Sequence, residues 1–397
     1  MLTKTKKFAW KKIRMQLKSL QYGTLTVVLP DDTRETFMGQ EGIEEEAVIL
    51  IRDWSFFTLL LKRGDIGFGE AYIEDLWSTD DLPGLLTVLA RNTDHYNENL
   101  YAGNFWSRLG FRLYQWYTRN TKLKSKANIK AHYDVGNDFY KLWLDETMMY
   151  SSALFTDGAE SLADAQRNKN ARILELLGEA KSIWEIGCGW GGFAKMAMEK
   201  GKLVYGISLS KEQLRYGNKL LAKELRDSHS ELVFEDYRDT KGEFDAVVSI
   251  EMIEAVGQEF WSTYFSAIAS HLRPGGKAVV QVIYMPSEDA FDYYARSADF
   301  IRQYTFPGGM LLSPDQFRSE LDKAGLLEED WYTFGQDYAK TLSLWLEKLE
   351  SSREAILDLG YSEEFIRSWR YYMAICIAGF RVDRINVAQV TFSKPLV

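Results

Sequence analysis

Apolar and polar positions in the first part of the chain follow short, strand-like and helix-like patterns. The segment YGTLTVVL alternates and ends at the turn Pro30-Asp31-Asp32, which predicts a β-strand. The apolar runs AVILIRD and FFTLLLK fit either a strand or a helix, and GDIGFGEAYIEDLW adds a helix. We expect a small α+β domain over residues 21–95, for which lipid binding is a candidate role. No catalytic constellation is evident in it.

Residues 1–20 combine apolar and cationic positions. They hold seven Lys or Arg and no acid, and Trp10, Ile13, Leu17 and Leu20 recur at helical spacing. This pattern predicts a basic helix whose apolar face lies on an anionic membrane surface. A terminal helix packed on the domain is the alternative, because Lys6 interrupts the apolar face.

Residues 96–130 are expected to form a helical, basic connector. A second group of cations lies there, at Arg119, Lys122, Lys124, Lys126 and Lys130. A solvated linker explains this group, and a second membrane contact explains it as well.

From residue 131 onwards the predicted elements alternate between strand and helix. The predicted strands are IWEIG, LVYGISL, ELVFEDY, FDAVVSIEM and KAVVQVIYM. Such alternation is typical of an α/β domain with a doubly wound, mostly parallel sheet covered on both faces. We assign residues 131–397 to this domain. Ligands of such folds bind beyond the carboxyl ends of the strands.

A glycine-rich loop occurs in IWEIGCGWGGF, at 183–193. Here a buried strand is expected to turn sharply into a helix. Gly187 permits the tight turn, Gly189 lets a ligand approach bare backbone, and Gly191 allows the helix to pack closely on the strand. The backbone N–H groups at the start of that helix then face the ligand.

The residues around the loop indicate which ligand it binds. Nicotinamide sites carry an acid about twenty residues further on, but the next strand ends in Ser208 and Ser210. Glu185, directly before the glycines, suits a ligand with an ammonium and a sulfonium. We therefore expect S-adenosylmethionine (SAM). Its further contacts are predicted at the ends of the following strands, at Ser208, Gln213, Asp236, Tyr237 and Arg238, although Arg238 is also explained as a surface charge.

Composition narrows the functional classes. The 397 residues are 46% hydrophobic and 26% charged, and the net charge of −9 excludes a general nucleic-acid binder. Cys188 and Cys376 make no disulfide framework, and the four histidines show no metal-ligand spacing, so we predict no metal. No apolar run reaches the roughly 18 residues of a membrane span, and no secretory signal is visible. We expect a cytoplasmic protein.

Several motifs occur together after residue 130. They are AHYDVGNDFYKLWLDETMMYSSALF, the glycine loop, EDYRD, SIEMIEAVG, FIRQYTFPGG and FGQDYAKTL. With them the chain resembles the cyclopropane-fatty-acyl-phospholipid synthase family, which includes the mycolic acid cyclopropane synthases. The resemblance is strong from about residue 130 to the end and weak through GFGEAYIEDLW.

The resemblance implies a class I SAM-dependent methyltransferase that acts on an unsaturated acyl chain of a membrane phospholipid. The alkene would attack the sulfonium methyl, and a bound bicarbonate would remove a proton. Tyr150 and Ser151 would contact SAM, and His132 and Tyr133 would line its pocket unless they pack in the core. The resemblance further implies peripheral association with the inner face of the membrane, and a homodimer is an open expectation.

Five positions of this chain match those that hold the anion in the family: Ser152, Glu254, Gln281, Ile283 and Tyr338. Two depart from the family pattern, because Ser152 replaces a cysteine and Gln281 replaces a histidine. Ser152 matters least if that position acts through its backbone. The Gln281 amide donates hydrogen bonds but does not titrate near neutrality. The product is then either the usual ring or a methylene- or methyl-branched chain.

Other residues have two interpretations. Glu254 either holds the anion or is a helix N-terminal acid, and Glu251 either faces the same cleft or caps a helix. Aromatic rings stabilise a carbocation within about 6 Å. The candidates for this role are Tyr284, Tyr304, Phe306, Tyr338 and Trp345, for each of which core packing is the alternative.

Two further functions compete with lipid modification. One is methyl transfer to a small nitrogenous or phenolic acceptor, against which the basic N-terminus argues. The other is a lipid-binding module without chemistry, against which the intact Glu185 and glycine loop argue.

Overall fold

The computed structural model describes residues 4–93, 135–156, 161–297 and 299–396. The chain divides into two compact units. The first consists of Met1–Leu113, Arg296–Thr305 and Trp345–Arg384, and the second consists of Tyr114–Ala295, Phe306–Leu344 and Ile385–Val397. The predicted connector over 96–130, its cationic group, and His132 and Tyr133 lie outside the described residues.

The unit division differs from the single run expected over 131–397. Two segments of that run, Arg296–Thr305 and Trp345–Arg384, group with the N-terminal residues. The reason is apolar burial, since Phe300, Tyr371 and Ala374 belong to the hydrophobic cluster of the first unit. These contacts are far apart in sequence, and local periodicity does not reveal them.

The first unit contains a four-stranded sheet with the order β2-β1-β3-β4. Its strands are β1 (Tyr22–Val28), β2 (Arg34–Met38), β3 (Glu41–Ile51) and β4 (Trp77–Ser78). β1 pairs antiparallel with β2 and parallel with β3, while β3 and β4 are antiparallel. The helices are Lys4–Leu17, Ser55–Ile73, Leu82–Arg91, Arg353–Asp358 and Glu363–Arg381, with a π-helical turn at Ile301–Thr305. The strand predicted at YGTLTVVL is thereby confirmed, AVILIRD is strand and FFTLLLK is helix.

The N-terminal helix Lys4–Leu17 buries its apolar face inside the first unit. Trp10 and Ile13 are buried, and the Trp10 ring centroid lies 4.8 Å from that of Phe57 and 6.5 Å from that of Phe37. The prediction that this apolar face lies on a membrane is therefore wrong. The alternative, a helix packed on its own domain, is correct.

The second unit contains a seven-stranded sheet with the order β10-β11-β9-β8-β5-β6-β7. Its strands are β5 (Ser182–Ile186), β6 (Leu203–Ser208), β7 (Glu231–Phe234), β8 (Phe244–Ile250), β9 (Leu272–Tyr284), β10 (Leu327–Thr333) and β11 (Asn386–Ser393). β11 runs antiparallel to both of its neighbours, while β5 to β9 are parallel. The predicted doubly wound, mostly parallel sheet is confirmed.

Both faces of this sheet are covered. Neighbouring residues of one strand enter different hydrophobic clusters, as the pairs Ile183 and Trp184, Val248 and Val247, and Val279 and Val280 show. The helices of this unit are Asn137–Tyr140, Leu162–Leu177, Gly192–Glu199, Lys211–Leu220, Ala222–Ser228, Trp261–His271, Glu288–Arg296, Pro314–Ala324 and the first part of Gly335–Ser351, with 3₁₀ turns at Ile253–Ala255 and Gln258–Phe260. None of the helices that the structure describes has the length and apolar character of a transmembrane span.

Candidate active site

The glycine loop follows β5 and is pinned to the neighbouring strand. Gly187 and Cys188 both donate their backbone N–H to the carbonyl of Ile207 at 2.9 Å. Gly187 and Gly191 have φ of +85° and +88°, a conformation that glycine adopts without strain. Gly189 has φ +53°, and a Cβ there would meet no atom within 4 Å. The backbone around Gly189 therefore leaves room for a ligand.

Glu185, the next-to-last residue of β5, is a buried acid with an unused oxygen. Glu185 is 3% exposed, and its Oε2 has no hydrogen-bond partner within the described ranges. Burial raises the pKa of Glu185 to about 8, and the positive charge of Lys169 opposes this rise. A cationic ligand at the end of β5 would supply the missing partner. The pocket residues thus fit the ammonium of SAM.

Lys169 is a functional candidate that the sequence analysis missed. It is fully buried, and its Nζ donates to Ser151 Oγ at 2.7 Å. Burial lowers the pKa of Lys169 to about 8, although the charges of Glu251, Asp145 and Glu185 favour its protonated form. A signal was present in the sequence, because polar residues recur at helical spacing in Leu162–Leu177, where an apolar face would be usual.

The polar face of the helix Leu162–Leu177 forms hydrogen bonds with the segment that carries Tyr150, Ser151 and Ser152. Besides Lys169, Gln166 Nε2 donates to the Ser151 carbonyl at 2.9 Å. The Tyr150 ring lies 5.7 Å from that of Tyr140, which in turn lies 5.1 Å from the ring of Trp190 in the glycine loop. The structure thereby brings Tyr150 and the glycine loop into one aromatic cluster.

The remaining predicted SAM residues follow β6 and β7. Ser208 Oγ and Gln213 Oε1 are 3.1 Å apart, and both residues are buried. Asp236 accepts two hydrogen bonds from the Arg238 guanidinium, at 2.7 and 2.6 Å. The Arg238 side chain is only 11% exposed and lies over the Tyr237 ring. The interpretation of Arg238 as a surface charge is therefore wrong.

Glu251, immediately after β8, is the centre of the candidate catalytic group. Its Oε1 accepts from the backbone N–H of Ser152 at 2.8 Å and from Gln281 Nε2 at 2.7 Å. Its Oε2 accepts from the Tyr338 hydroxyl at 2.6 Å. Three of the five positions expected to hold an anion thus hold the carboxylate of Glu251. Both of its carboxylate oxygens accept hydrogen bonds from other segments, so the helix-capping interpretation is wrong.

Ser152 contacts the Glu251 carboxylate through its backbone and not through its side chain. Its N–H donates to Glu251, while its own hydroxyl donates to the Ala153 carbonyl at 3.0 Å. The exchange of cysteine for serine at this position consequently leaves the hydrogen bond to Glu251 intact.

Glu254 and Ile283 form a second pair beside Glu251. Glu254 Oε1 accepts from the backbone N–H of Ile283 at 2.5 Å. Its Oε2 is buried and has no hydrogen-bond partner in the described part of the chain. Burial raises the pKa of Glu254 to about 8, and the negative charge of Glu251 adds to the rise. Two acids with contrasting surroundings therefore lie close together.

The orientation of the Gln281 amide is set from the neighbouring strand. Gln389 of β11 donates from Nε2 to Gln281 Oε1 at 3.2 Å, which leaves Gln281 Nε2 facing Glu251. Arg172 fixes Gln389 in turn, because its guanidinium donates to Gln389 Oε1 at 2.9 Å. Gln389 is buried in the last strand, and only the sheet order brings it to the site.

The candidate aromatic residues lie in different parts of the structure. Tyr338 contacts the Glu251 carboxylate, whereas Tyr284 packs edge-on against Trp331 with ring centroids 5.2 Å apart. Tyr304 and Trp345 belong to the first unit. Among the described residues, no group of three or more His, Cys, Asp or Glu is arranged to hold a metal ion.

Comparison with known proteins assigns the chain to a family. The profile of the mycolic acid cyclopropane synthetase family matches residues 120–390. The chain belongs to this family. Tuberculostearic acid methyltransferase UfaA1 of Mycobacterium tuberculosis is 36% identical over 344 residues, which cover 84% of this chain and 80% of that protein. Cyclopropane-fatty-acyl-phospholipid synthase of Escherichia coli K12 is 33% identical over 384 residues, or 93% and 95% of the two chains.

Solved structures agree with this assignment. Mycolic acid cyclopropane synthase CmaA1, complexed with S-adenosylhomocysteine, is 30% identical with a TM-score of 0.63 over 68% of this chain and 98% of its own. Coclaurine N-methyltransferase, at 16% identity and a TM-score of 0.62 over 82% and 98% of the two chains, shares the fold. This member of the mycolic acid cyclopropane synthetase family is a SAM-dependent methyltransferase.

Proposed function

We propose that this family member transfers a one-carbon unit from SAM to the cis double bond of an unsaturated phospholipid acyl chain. The observation that carries the proposal is the placement of two half-buried acids, Glu251 and Glu254, after β8, the strand next to β5 and its glycine loop. The relatives named tuberculostearic acid methyltransferase and cyclopropane-fatty-acyl-phospholipid synthase support the same substrate class.

Residues of this chain would bind SAM and stabilise the positive charge that forms on the acyl chain. When bound, SAM supplies a methyl group on a positively charged sulfur. Glu185, with its unused oxygen, and the open backbone at Gly189 would hold the donor. Methyl transfer to an alkene leaves a positive charge on the acyl chain. The carboxylate of Glu251 stabilises that charge in a site of low dielectric, where electrostatic interactions are strong.

We propose further that the enzyme meets its lipid through the outward surface of the helix Lys4–Leu17. Phe8 and Met15 are 58% and 66% exposed on it, and Lys11 and Lys12 are exposed beside them. Apolar side chains flanked by cations suit an interface with anionic lipid headgroups. This surface is opposite to the one that the sequence analysis expected, because Trp10 and Ile13 are buried.

Lipid mass spectrometry tests the proposed activity. The purified protein is incubated with SAM and vesicles of monounsaturated phosphatidylglycerol and phosphatidylethanolamine. Each double bond should gain the mass of one CH₂ unit, and fully saturated vesicles should gain nothing. Fragmentation then distinguishes a ring from a methylene branch.

Unchanged lipid masses, in a preparation whose SAM binding is demonstrated by calorimetry, would contradict the proposal. Turnover of small amines or phenols in the absence of vesicles would instead support the alternative acceptor class.

A further inference from the structure

We infer that Glu251 is the catalytic base, and that its carboxylate takes the place for which the family resemblance implies a bound bicarbonate. The inference rests on the proposed function for the nature of the substrate. It makes bicarbonate dispensable for this enzyme. It also identifies as catalytic a residue outside the five positions that the resemblance marks.

The donors around Glu251 carry the inference. The Ser152 backbone N–H, Gln281 Nε2 and the Tyr338 hydroxyl all donate to its two oxygens, at 2.6 to 2.8 Å. An exogenous anion bound by the same three donors would have to occupy the position of this carboxylate. One set of donors cannot serve both anions, so the chain supplies its own.

The backbone at Glu251 also points to a functional requirement. Its φ of +49° lies in the left-handed region, which disfavours residues with a Cβ and favours glycine. The Glu251 N–H donates to the Gln281 carbonyl at 2.8 Å, which holds the residue in this conformation. A charged side chain in a strained conformation at the end of a strand is typical of active sites.

The surroundings of Glu251 suit a proton acceptor. An ionised carboxylate has about four lone-pair positions, and the three described donors leave one free. Burial raises the pKa of Glu251, although the three hydrogen bonds to its carboxylate and the Lys169 ammonium oppose this rise. A base with a raised pKa accepts a proton more readily than a solvated carboxylate.

The proton transfer balances without any further reagent. The cation on the acyl chain loses a proton to a Glu251 oxygen, and the carboxylate becomes a neutral carboxylic acid. The electron pair of the broken C–H bond forms either the third C–C bond of a ring or a new C=C bond. Glu251 then releases the proton to solvent before the next turnover. A saturated methyl branch would need an additional hydride donor, and this step supplies none.

Chemical rescue tests the inference directly. Glu251→Gly removes the carboxylate and places the residue type that the backbone conformation favours, so the fold should persist. In buffer freed of carbon dioxide we expect a loss of activity of about a hundredfold or more. Added formate or bicarbonate should restore at least a tenth of the wild-type rate, in a saturable manner. Glu251→Gln, whose amide fills the same space, should be equally inactive and should not be rescued.

A binding measurement makes the test independent of turnover. Carbon-13 NMR of labelled bicarbonate should show binding to Glu251→Gly and none to the wild-type protein. SAM binding, measured by calorimetry, should stay within about twofold of wild type in both variants. His229→Gly, at an exposed left-handed position away from the site, is the matched control and should keep full activity.

The outcomes separate the two proposals. Stimulation of the wild-type enzyme by bicarbonate, bicarbonate binding to the wild-type protein, or near-normal turnover by Glu251→Gln would each overturn the role of Glu251. If the wild-type protein leaves unsaturated lipids unchanged, the proposed function fails. The NMR comparison then still decides whether Glu251 occupies the anion position.

Discussion

The surroundings of two acids, the buried Glu185 and the half-buried Glu251, prepare them for different tasks. Glu251 accepts hydrogen bonds from three directions, so its charge is compensated before any ligand arrives. Glu185 keeps Oε2 without a partner among the described residues, so a cationic ligand would complete its surroundings. Two acids with such different hydrogen-bond partners are suited to separate roles.

Binding of SAM should therefore release a proton near neutral pH. Burial raises the pKa of Glu185 to about 8, so the free protein carries a proton there that the cationic ligand displaces. We expect release of up to one proton at about pH 7, falling to none above about pH 9. Calorimetry in two buffers with different heats of ionisation measures this number.

Glu185→Gln provides the control for this measurement. The amide cannot lose a proton, and it should weaken SAM binding by about tenfold to a hundredfold. An unchanged proton release in this variant would show that another group is responsible.

At the scale of elements, the antiparallel strand β11 positions a side chain for the reaction. Gln389 reaches across to Gln281 of β9 and fixes which end of that amide faces Glu251. Without it, the Gln281 amide could rotate and present its oxygen to the carboxylate, which is repulsive.

Gln389→Met should thus lower kcat by about tenfold or more, with unchanged affinity for SAM. Methionine fills a similar volume but does not donate to Gln281. Thr391→Val, on the same buried strand, is the matched control and should retain kcat. Equal losses in the two variants would indicate a general effect of the strand rather than positioning of the amide.

The N-terminal helix provides a second prediction for an element. Lys11→Glu with Lys12→Glu should abolish most binding to anionic vesicles, because each cation near such a surface contributes about 1 kcal/mol. Sedimentation with vesicles at low and high salt measures the loss. Lys219→Glu with Lys223→Glu, on the second unit, reverses the same number of charges and should bind as wild type does. If the variant with Lys11→Glu and Lys12→Glu still bound anionic vesicles, the outward surface of the helix Lys4–Leu17 would not be the lipid-binding surface.

The whole protein should lose stability as pH rises from about 5 to about 8. Burial raises the pKa of both Glu185 and Glu254 to about 8, above the values of an unfolded chain. The native state then holds more protons than the unfolded state over this range, so its stability falls as these protons leave. Lys169, with its pKa lowered to about 8, acts oppositely but only above that pH.

Thermal denaturation of ligand-free Glu254→Gln should show a flatter dependence on pH. The amide has no proton to lose, so the variant should be more stable than wild type at about pH 8 and similar at about pH 5. Glu231→Gln, an exposed substitution, should follow the wild-type curve. A Glu254→Gln curve parallel to that of wild type would contradict the role of this acid.

The sequence predicted those features that depend on neighbouring residues. The glycine loop and the strand ends were identified because tight turns and parallel sheets leave few alternatives. The role of Glu251 stayed open, since its φ of +49° and its three donors from distant segments are not visible in a local pattern. The apolar face of the N-terminal helix was predicted to lie on a membrane but packs inside its own unit. The helix sequence does not reveal this, because its partners Phe37 and Phe57 lie in other elements.

The composition of the first unit has a consequence for synthesis on the ribosome. Its hydrophobic cluster includes Phe300 and Tyr371 together with Leu25 and Trp77. The helix Glu363–Arg381, which carries Tyr371, is translated long after the strands β1 to β4. The nascent sheet of β1 to β4 must therefore wait with exposed apolar surface until this helix has emerged. A chaperone that shields this surface during translation should raise the yield of folded enzyme more than one added after chain release.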